Sequence, residues 1–436
     1  MREMVDVSVI MPSLNVAEYI DECMESVRCQ SLERIEILCV DAGSVDGTLE
    51  KLQEYAKRDS RIRLIQSEKK SYGYQVNIGI EKARGEYVAI VETDDYVSNN
   101  MMELLVKVAQ KESLDYVKGN YNYFATYCGH RRFFPAYTWE KGSQYYDTVI
   151  CPRSMPDLPL RDYNIWRGIY RRDFLIQNQI KCNESAGASY QDIGFLMQVY
   201  DKAEKCSYIE DILYYYQMNR EGSSSCKLEA LVNVENEFRR LKDYGLVALG
   251  KAFYIRLVYC LIPELDKLLR RLDFKIDERY IEKPSCWMIA ELEPAISQGI
   301  IADKDFPTDI WEKLQLISRD IKSYAKLLQE ECKIEEEKKK KWIKPIENRA
   351  IVIFGSGVYG RRYLLSYENL GVNVLCICDN NPEKVGKMVE GYEVISPEQA
   401  HKEYPEAVFV IPDRPYKTEM MNQLKAIGAE YVVMTV

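Results

Sequence analysis

The chain has 436 residues, 47% of them hydrophobic and 29% charged, with a formal net charge of −9. That length allows two or three domains and the balance is that of a globular protein. The acidic excess argues against nucleic acid as a partner, because phosphate-binding proteins carry a basic face. The first residues are charged and lead into a short apolar run with no secretory core. No stretch reaches the ~18 apolar residues of a membrane span; the longest, residues 254–263, contains Arg256. Cysteines are scattered, odd in number (13) and form no C-x-x-C pair, which reads as reduced thiols in a cytoplasmic protein. With only His130 and His401 beside them, a zinc site is not expected.

From the N-terminus to about residue 225, short apolar runs alternate with helical periodicity. Val7-Ser8-Val9-Ile10-Met11 reads as a strand, residues 16–27 as a helix, residues 35–40 as a second strand and residues 48–58 as a second helix. Residues 62–65 and 87–91 continue the alternation, which predicts a mostly parallel sheet covered by helices. Residues 226–345 read as helical, with apolar residues three and four apart in 228–244 and 306–333. Within them, residues 334–341 hold three glutamates followed by four lysines, a solvated helix end or linker, or a contact for anionic lipid. Residues 346–436 form a small α/β unit, in which Cys376 and Cys378 fall on one face of a strand. The expected domains are therefore 1–225, 226–345 and 346–436.

Two acidic turns follow predicted strands: Asp41-Ala42-Gly43-Ser44-Val45-Asp46-Gly47-Thr48 and Glu92-Thr93-Asp94-Asp95. Parallel sheets hold ligands in the crevice at the strands' carboxyl ends, so both turns would face one crevice. Crowded carboxylates repel one another unless a cation sits among them, and Mg²⁺ and Mn²⁺ accept such oxygen ligands while bridging to phosphates. A departing diphosphate is stabilised by that charge. Taken alone, an acidic turn after a strand is as readily a helix start, and Asp46-Gly47-Thr48 fits that reading.

The order of the pieces carries more. A strand ending in Met11-Pro12-Ser13-Leu14-Asn15 is followed by Asp41-Ala42-Gly43-Ser44, Ser71-Tyr72-Gly73, Asn77-Ile78-Gly79, Ala83-Arg84-Gly85-Glu86-Tyr87 and Glu92-Thr93-Asp94-Asp95. Over roughly residues 5–220 this resembles the family 2 glycosyltransferases, which have the GT-A fold. The resemblance implies a nucleotide-sugar donor held by Pro12, Ser13, Asn15, Asp41, Gly73, Asn77 and Asp94, with Mn²⁺ or Mg²⁺ on Asp95 and Glu92. The sequence departs from the family at Ala42, where a second aspartate is usual, at Glu92, which opens the D-x-D pattern, and at Val76, where an arginine is common.

Further on, Gln191-Asp192 stands where the family has an acidic pair at a helix start. By itself Asp192 reads as a helix cap; the resemblance makes it the catalytic base, taking a proton from an acceptor hydroxyl in an inverting displacement. Trp166 in Asn164-Ile165-Trp166-Arg167-Gly168 matches the segment beside the acceptor, either stacking on a sugar ring or packing in the core. Arg220, after the run Tyr214-Tyr215-Tyr216, reads as a diphosphate contact or a solvated arginine. The sequence lacks the Q-x-x-R-W of processive synthases. The implied activity is sugar transfer to a glycan, teichoic-acid-like or lipid-linked acceptor in cell-surface polysaccharide synthesis. The helical stretch is left with three roles: orienting the acceptor, pairing subunits into a homo-oligomer, or touching a membrane peripherally.

In the C-terminal unit, Gly355-Ser356-Gly357-Val358-Tyr359-Gly360 is a G-x-G-x-x-G turn between a strand and a helix, and Asp379 ends the next strand. That spacing fits a second, dinucleotide-type site on Gly355, Gly357, Gly360 and Asp379, and the segment resembles small Rossmann-like domains found beside sugar-processing enzymes. It serves equally as a Rossmann-like unit used for packing. Two alternatives to the transferase follow: a catalytically silent nucleotide-sugar-binding scaffold, supported by Ala42 and Val76, and an NAD-dependent sugar enzyme.

Overall fold

The computed structural model describes residues 5–127, 130–155, 157–218, 228–413 and 417–434. The chain divides into two compact units, Met1–Tyr123 with Phe134–Lys326, and Phe124–Phe133 with Leu327–Val436.

The sheet that dominates the first unit is built from β1 (Val7–Ser13), β2 (Ile35–Asp41), β3 (Ile62–Gln66), β4 (Tyr87–Ile90), β5 (Tyr96–Val97), β6 (Tyr116–Tyr127), β7 (His130–Ala136), β8 (Gly168–Arg171) and β9 (Cys206–Gln217). Its order is β3-β2-β1-β4-β8-β6-β9-β5, with β7 paired to β6. β1 runs parallel to β2 and β4, and β2 parallel to β3, whereas β8 pairs antiparallel with β4 and β6. Every residue of β1 and β2 is buried, as expected where helices cover both faces of a parallel sheet. Those helices are α1 (Ile20–Arg28), α2 (Thr48–Arg58), α3 (Tyr72–Lys82), α4 (Met101–Glu112), α5 (Leu158–Arg161), α6 (Arg172–Gln177) and α7 (Gln191–Lys202).

The helix expected from residue 16 begins at Ile20. The cause is local: the amides of Val16 and Ala17 donate to Thr48 Oγ1 (2.8 Å) and Asp46 Oδ2 (3.0 Å), so side chains of the second turn hold the first loop open. Near the start of β1, Glu36 is buried and would gain a proton more readily there. Hydrogen bonds from Ser8, Arg84 and Arg63 instead hold its carboxyl below the ordinary range. Arg84 and Gly85 thus fasten β4 to β1 and β2 at the edge opposite the acidic turns; a β-carbon on Gly85 would lie 2.6 Å from the Ser8 nitrogen.

Beyond β9 come α8 (Ala230–Asp243), α9 (Lys251–Arg271), α10 (Lys283–Ser297), α11 (Thr308–Arg319) and α12 (Ile321–Ile343). The expected helix over 306–333 is interrupted at Asp320, which is extended (φ −160°, ψ 101°). Its side chain accepts from the Lys322 amide (2.9 Å), a cap that starts α12 afresh. The Glu/Lys run at 334–341 is the exposed latter part of α12.

In the second unit β10 (Ile351–Phe354), β11 (Val374–Cys378), β12 (Met388–Val389), β13 (Tyr392–Ile395), β14 (Val408–Pro412) and β15 (Tyr431–Met434) lie in the order β12-β13-β11-β10-β14-β15. All pairs except β12–β13 are parallel, with α13 (Val358–Asn369), α14 (Pro397–Glu403) and α15 (Lys417–Ala426) completing the alternation. The strands' period of two splits the core between the faces. Ile351, Ile353 and Ile377 pack on one side, and Val352, Phe354, Cys376 and Cys378 on the other, as the cysteine spacing predicts.

Candidate active site

In the first unit, parallel register brings the carboxyl ends of three strands level. Ser13 pairs with Asp41 across β1 and β2, and Ile10 with Ile90 across β1 and β4. The loops that follow are tied together by side chains. Gln75 on α3 donates to the carbonyls of Ser13 (2.9 Å) and Val40 (2.6 Å), and Thr93 Oγ1 donates to the Pro12 carbonyl (2.9 Å). A cleft of about 540 Å³ opens at this edge.

Glu92, Asp94 and Asp95 each offer a carboxylate oxygen, and these oxygens lie within 4.8 Å of one another. The elements around them hold that arrangement. Tyr72 Oη donates to Glu92 Oε1 (3.1 Å), and Asp95 accepts from Tyr214 Oη (2.7 Å) and the Gln217 amide (2.8 Å). The same Tyr214 hydroxyl accepts from the Glu92 amide (3.1 Å), bridging the turn from β9. Burial, then the neighbouring charges of Asp94 and Glu92, push the Asp95 carboxyl well above its ordinary range. Three converging carboxylates, two of which oppose the ionisation of Asp95, fit a hard divalent cation such as Mn²⁺ or Mg²⁺, whose charge relieves the repulsion.

Asp192 lies in the first turn of α7 and lines the same cleft. Burial raises its carboxyl; amides of its own helix and the charge of Arg256 on α9 oppose that rise. The residue that starts the helix, Tyr190, is left-handed (φ 63°), which costs a non-glycine residue ~1–2 kcal/mol. Gln191 faces inward and donates to Ser185 Oγ (3.0 Å) and the Gly187 carbonyl (3.2 Å), shaping the loop before Asp192. The aromatic wall is Trp166, stacked on Tyr214 (4.2 Å between ring centroids) and Tyr216 (5.3 Å). Trp166 is therefore packed against strand tyrosines while one edge reaches the cleft.

Residues 8–159 match the sequence profile of glycosyl transferase family 2, and residues 347–434 a profile described as C2185-like, N-terminal. Residues 8–159 thus form a domain of the family 2 glycosyltransferase type. Among its relatives is an uncharacterized glycosyltransferase of Bacillus subtilis, EpsJ, 30% identical over 220 residues, 49% of this chain and 61% of that one. Glycosyltransferase GlyG of Streptococcus pneumoniae is 28% identical over 273 residues, 62% of this chain and 85% of that one. In fold the chain is similar to S. aureus TarS 1–349 in complex with UDP, at 16% identity and a TM-score of 0.49, covering 76% of this chain and 92% of that one. The chain spans about six tenths of the length of EpsJ. The α/β, GT-A-type architecture expected from the motif order is the one observed.

Within the first unit, the structure brings Pro12, Ser13, Glu92, Asp94, Trp166 and Asp192 to one cleft. Asp95 sits buried beneath it. Asp41 is engaged by its own turn: Oδ2 accepts from the Gly43 (2.8 Å) and Ser44 (3.0 Å) amides and Oδ1 from Ser44 Oγ (2.5 Å). Asn15, itself left-handed, accepts from the Val45 amide (2.9 Å) and so joins the first two loops. Gly73 and Asn77 face the segment around Cys182. A β-carbon on Gly73 would meet the Asn183 carbonyl at 1.8 Å, and Asn77 exchanges hydrogen bonds with the Cys182 backbone (3.0 and 2.9 Å). Arg220 lies outside the described residues. Sequence reasoning passed over Gln75, Tyr72 and Tyr214, which position the edge, and Arg256 and Glu264 of α9, which line the cleft. The polar Gln75 amid the apolar stripe of α3 was the one available signal.

In the second unit, the Gly-rich turn is closed by its own acid. Asp379 Oδ2 accepts from the Ser356 amide (2.8 Å) and Oγ (2.6 Å) and pairs with Lys384 (3.1 Å), while Oδ1 accepts from the Asn381 amide (2.9 Å). Gly355 is left-handed (φ 107°), and a β-carbon on Gly360 would lie 1.6 Å from the Gly355 carbonyl, so the turn packs directly on α13. Gly357 meets no such restriction.

Proposed function

We propose that this protein is a cation-dependent glycosyltransferase that moves a sugar from a nucleotide-sugar to an acceptor hydroxyl with inversion at the anomeric carbon. The carrying observation is the convergence of Glu92, Asp94 and Asp95 at a cleft that Asp192 also lines. In this reading Pro12, Ser13 and Asn15 border the nucleoside, Asp41 shapes the turn beside it, and Asp94 meets the ribose. Glu92 and Asp95 would hold Mn²⁺ or Mg²⁺ with the diphosphate. A divalent cation there supplies positive charge to the diphosphate oxygen as it departs.

Asp192 accepts the proton of the acceptor hydroxyl, whose oxygen bonds to the anomeric carbon from the face opposite the diphosphate. The bond from that carbon to the diphosphate oxygen breaks, and the nucleoside diphosphate leaves with the electron pair. Burial supports the role, since a raised carboxyl is a stronger base once ionised. The acceptor is a glycan, teichoic-acid-like or lipid-linked hydroxyl in cell-surface polymer synthesis. In the second unit, the internal use of Asp379 favours packing over dinucleotide binding. Incubation with Mn²⁺ and a panel of nucleotide-sugars tests the reading: release of nucleoside diphosphate that stops on chelation supports it, and binding without release supports a silent scaffold.

A further inference from the structure

We propose that Glu237 is a positioning residue for transfer, holding Asp192 in place through Asn183, Ser185 and Gln191. The inference rests on the transfer reaction proposed above and names what orients its base. Asp192 stands in the first turn of α7, at the end of the loop formed by residues 183–190. A loop keeps one shape only where packed elements grip it. Here the grip comes from α8, which packs against α7.

Glu237, on α8, is 1% exposed. Its Oε2 accepts from Asn183 Nδ2 (2.8 Å) and its Oε1 from Arg240 Nη1 (3.1 Å). Asn183 passes the connection on, its Oδ1 accepting from the Ser185 amide (3.2 Å). Ser185 Oγ in turn accepts from Nε2 of Gln191 (3.0 Å), a buried side chain next to Asp192. Hydrogen bonds thus run without a gap from α8 to the residue beside the base. A second contact reaches the same helix: Glu237 Oε1 lies over Gly194, where a β-carbon would stand 1.5 Å from it. Arg240 grips the same segment, its Nη2 donating to the Lys181 carbonyl (3.1 Å). Burial opposes the carboxylate, lifting its pKa to about 7 against the bonds from Asn183 and Arg240. A packed apolar side chain of similar volume often serves stability as well as a buried ion pair or better, so stability alone does not account for an acid here. What an apolar side chain lacks is an acceptor for Asn183, where the relay begins.

The test is kinetic, on the full chain with Mn²⁺ and a panel of UDP- and GDP-sugars, reading nucleoside diphosphate release. Glu237→Met should lower kcat at least tenfold, since misplacing a reacting group by ~1 Å costs about 10²-fold, and should leave KM for the nucleotide-sugar within twofold. Glu237→Gln, which keeps an acceptor oxygen, should recover part of the loss. The Asp192→Asn background separates positioning from general loosening: there Glu237→Met should change the residual rate less than twofold, because the group it orients is already gone. Hydrogen exchange across residues 183–192 should quicken at least tenfold in Glu237→Met. Thermal melts identify a variant that fails to fold, and Asn183→Ala, which cuts the relay at a half-buried residue, then takes its place with the same expected losses. Absence of Mn²⁺-dependent release from the wild type overturns the transfer reading instead, and the exchange rates still decide whether Glu237 holds the loop. An unchanged kcat, an equal loss in both backgrounds, or exchange unmoved in the folded variant overturns the assignment.

Discussion

Asp162→Asn is expected to be among the most destabilising isosteric changes in the first unit, with a pH signature of its own. Asp162 is fully buried between two cations, Lys118 Nζ (2.8 Å) and Arg167 Nη2 (2.8 Å), and accepts from Tyr208 Oη (2.7 Å). Burial would raise its carboxyl, but Arg167 and Lys118 hold it well below the usual range. Burial lowers Lys118 to about 8 against the pull of Asp162. Removing the anion strands two buried cations, which costs ~3–5 kcal/mol for a broken buried pair. Lys118 offsets part of that by shedding its proton, so its folded pKa drops below about 8 in the variant. From there up to about 8 the variant's folded state lacks a proton that the wild-type folded state keeps. The deficit therefore narrows as pH rises from 6 to 8, by at most ~1.4 kcal/mol per pH unit. Urea denaturation followed by tryptophan fluorescence measures it, since Trp139, Trp166, Trp287 and Trp311 all lie in the first unit. A deficit under ~1 kcal/mol at pH 6, or one that widens towards pH 8, refutes the reasoning. The loss should also reach transfer, because Asp162 and Arg167 anchor the loop that carries Tyr163 and Trp166.

Asp192→Asn should leave nucleotide-sugar binding intact and lower transfer by ~10²–10⁴-fold, measured as nucleoside diphosphate release. In the wild type the acid limb should lie above the ~3.9 of an ordinary aspartate, because burial raises this carboxyl and only its ionised form accepts the proton. Gly194→Ala would bring a β-carbon within 1.5 Å of Glu237 Oε1, part of a carboxylate that Asn183 (2.8 Å, to Oε2) and Arg240 (3.1 Å, to Oε1) pin in place; denaturation should show a loss of ~1–3 kcal/mol, with reduced transfer as α7 shifts. Gly360→Ala forces a β-carbon into the Gly355 carbonyl at 1.6 Å. Calorimetry should show the second unit melting earlier by the equivalent of ~1–3 kcal/mol.

The parallel part of the first unit's sheet was legible because buried parallel strands read as continuous apolar runs, as in β1, β2 and β4, and because their turns carry recognisable acids; the antiparallel pairs that β8 makes with β4 and β6, and β5 with β9, were not. The acidic cluster was legible because Glu92, Asp94 and Asp95 are neighbours in sequence. Residues that act from a distance were not. Tyr214, 119 residues after Asp95, stands in a run of tyrosines, and its bond to the Asp95 carboxylate follows only from the pairing of β9 with β5. Gly73 and Asn77 sit in a family motif, yet their contacts are with the backbone around Cys182, a packing role that spacing alone does not separate from ligand binding. Arg256 and Glu264 lie in a stretch whose apolar periodicity announces a helix but not what its polar face meets. Helix ends moved where a distant side chain captured an amide, as Thr48 does at Val16.

Mn²⁺ titration by calorimetry or EPR, with a nucleoside diphosphate present, tests the carboxylate site most directly. One Mn²⁺ should bind per chain, at least tenfold more weakly in Glu92→Gln and in Asp95→Asn, and more weakly as acid protonates Asp95. Absence of Mn²⁺ binding at millimolar concentrations, or equal affinity in wild type and both variants, contradicts the account.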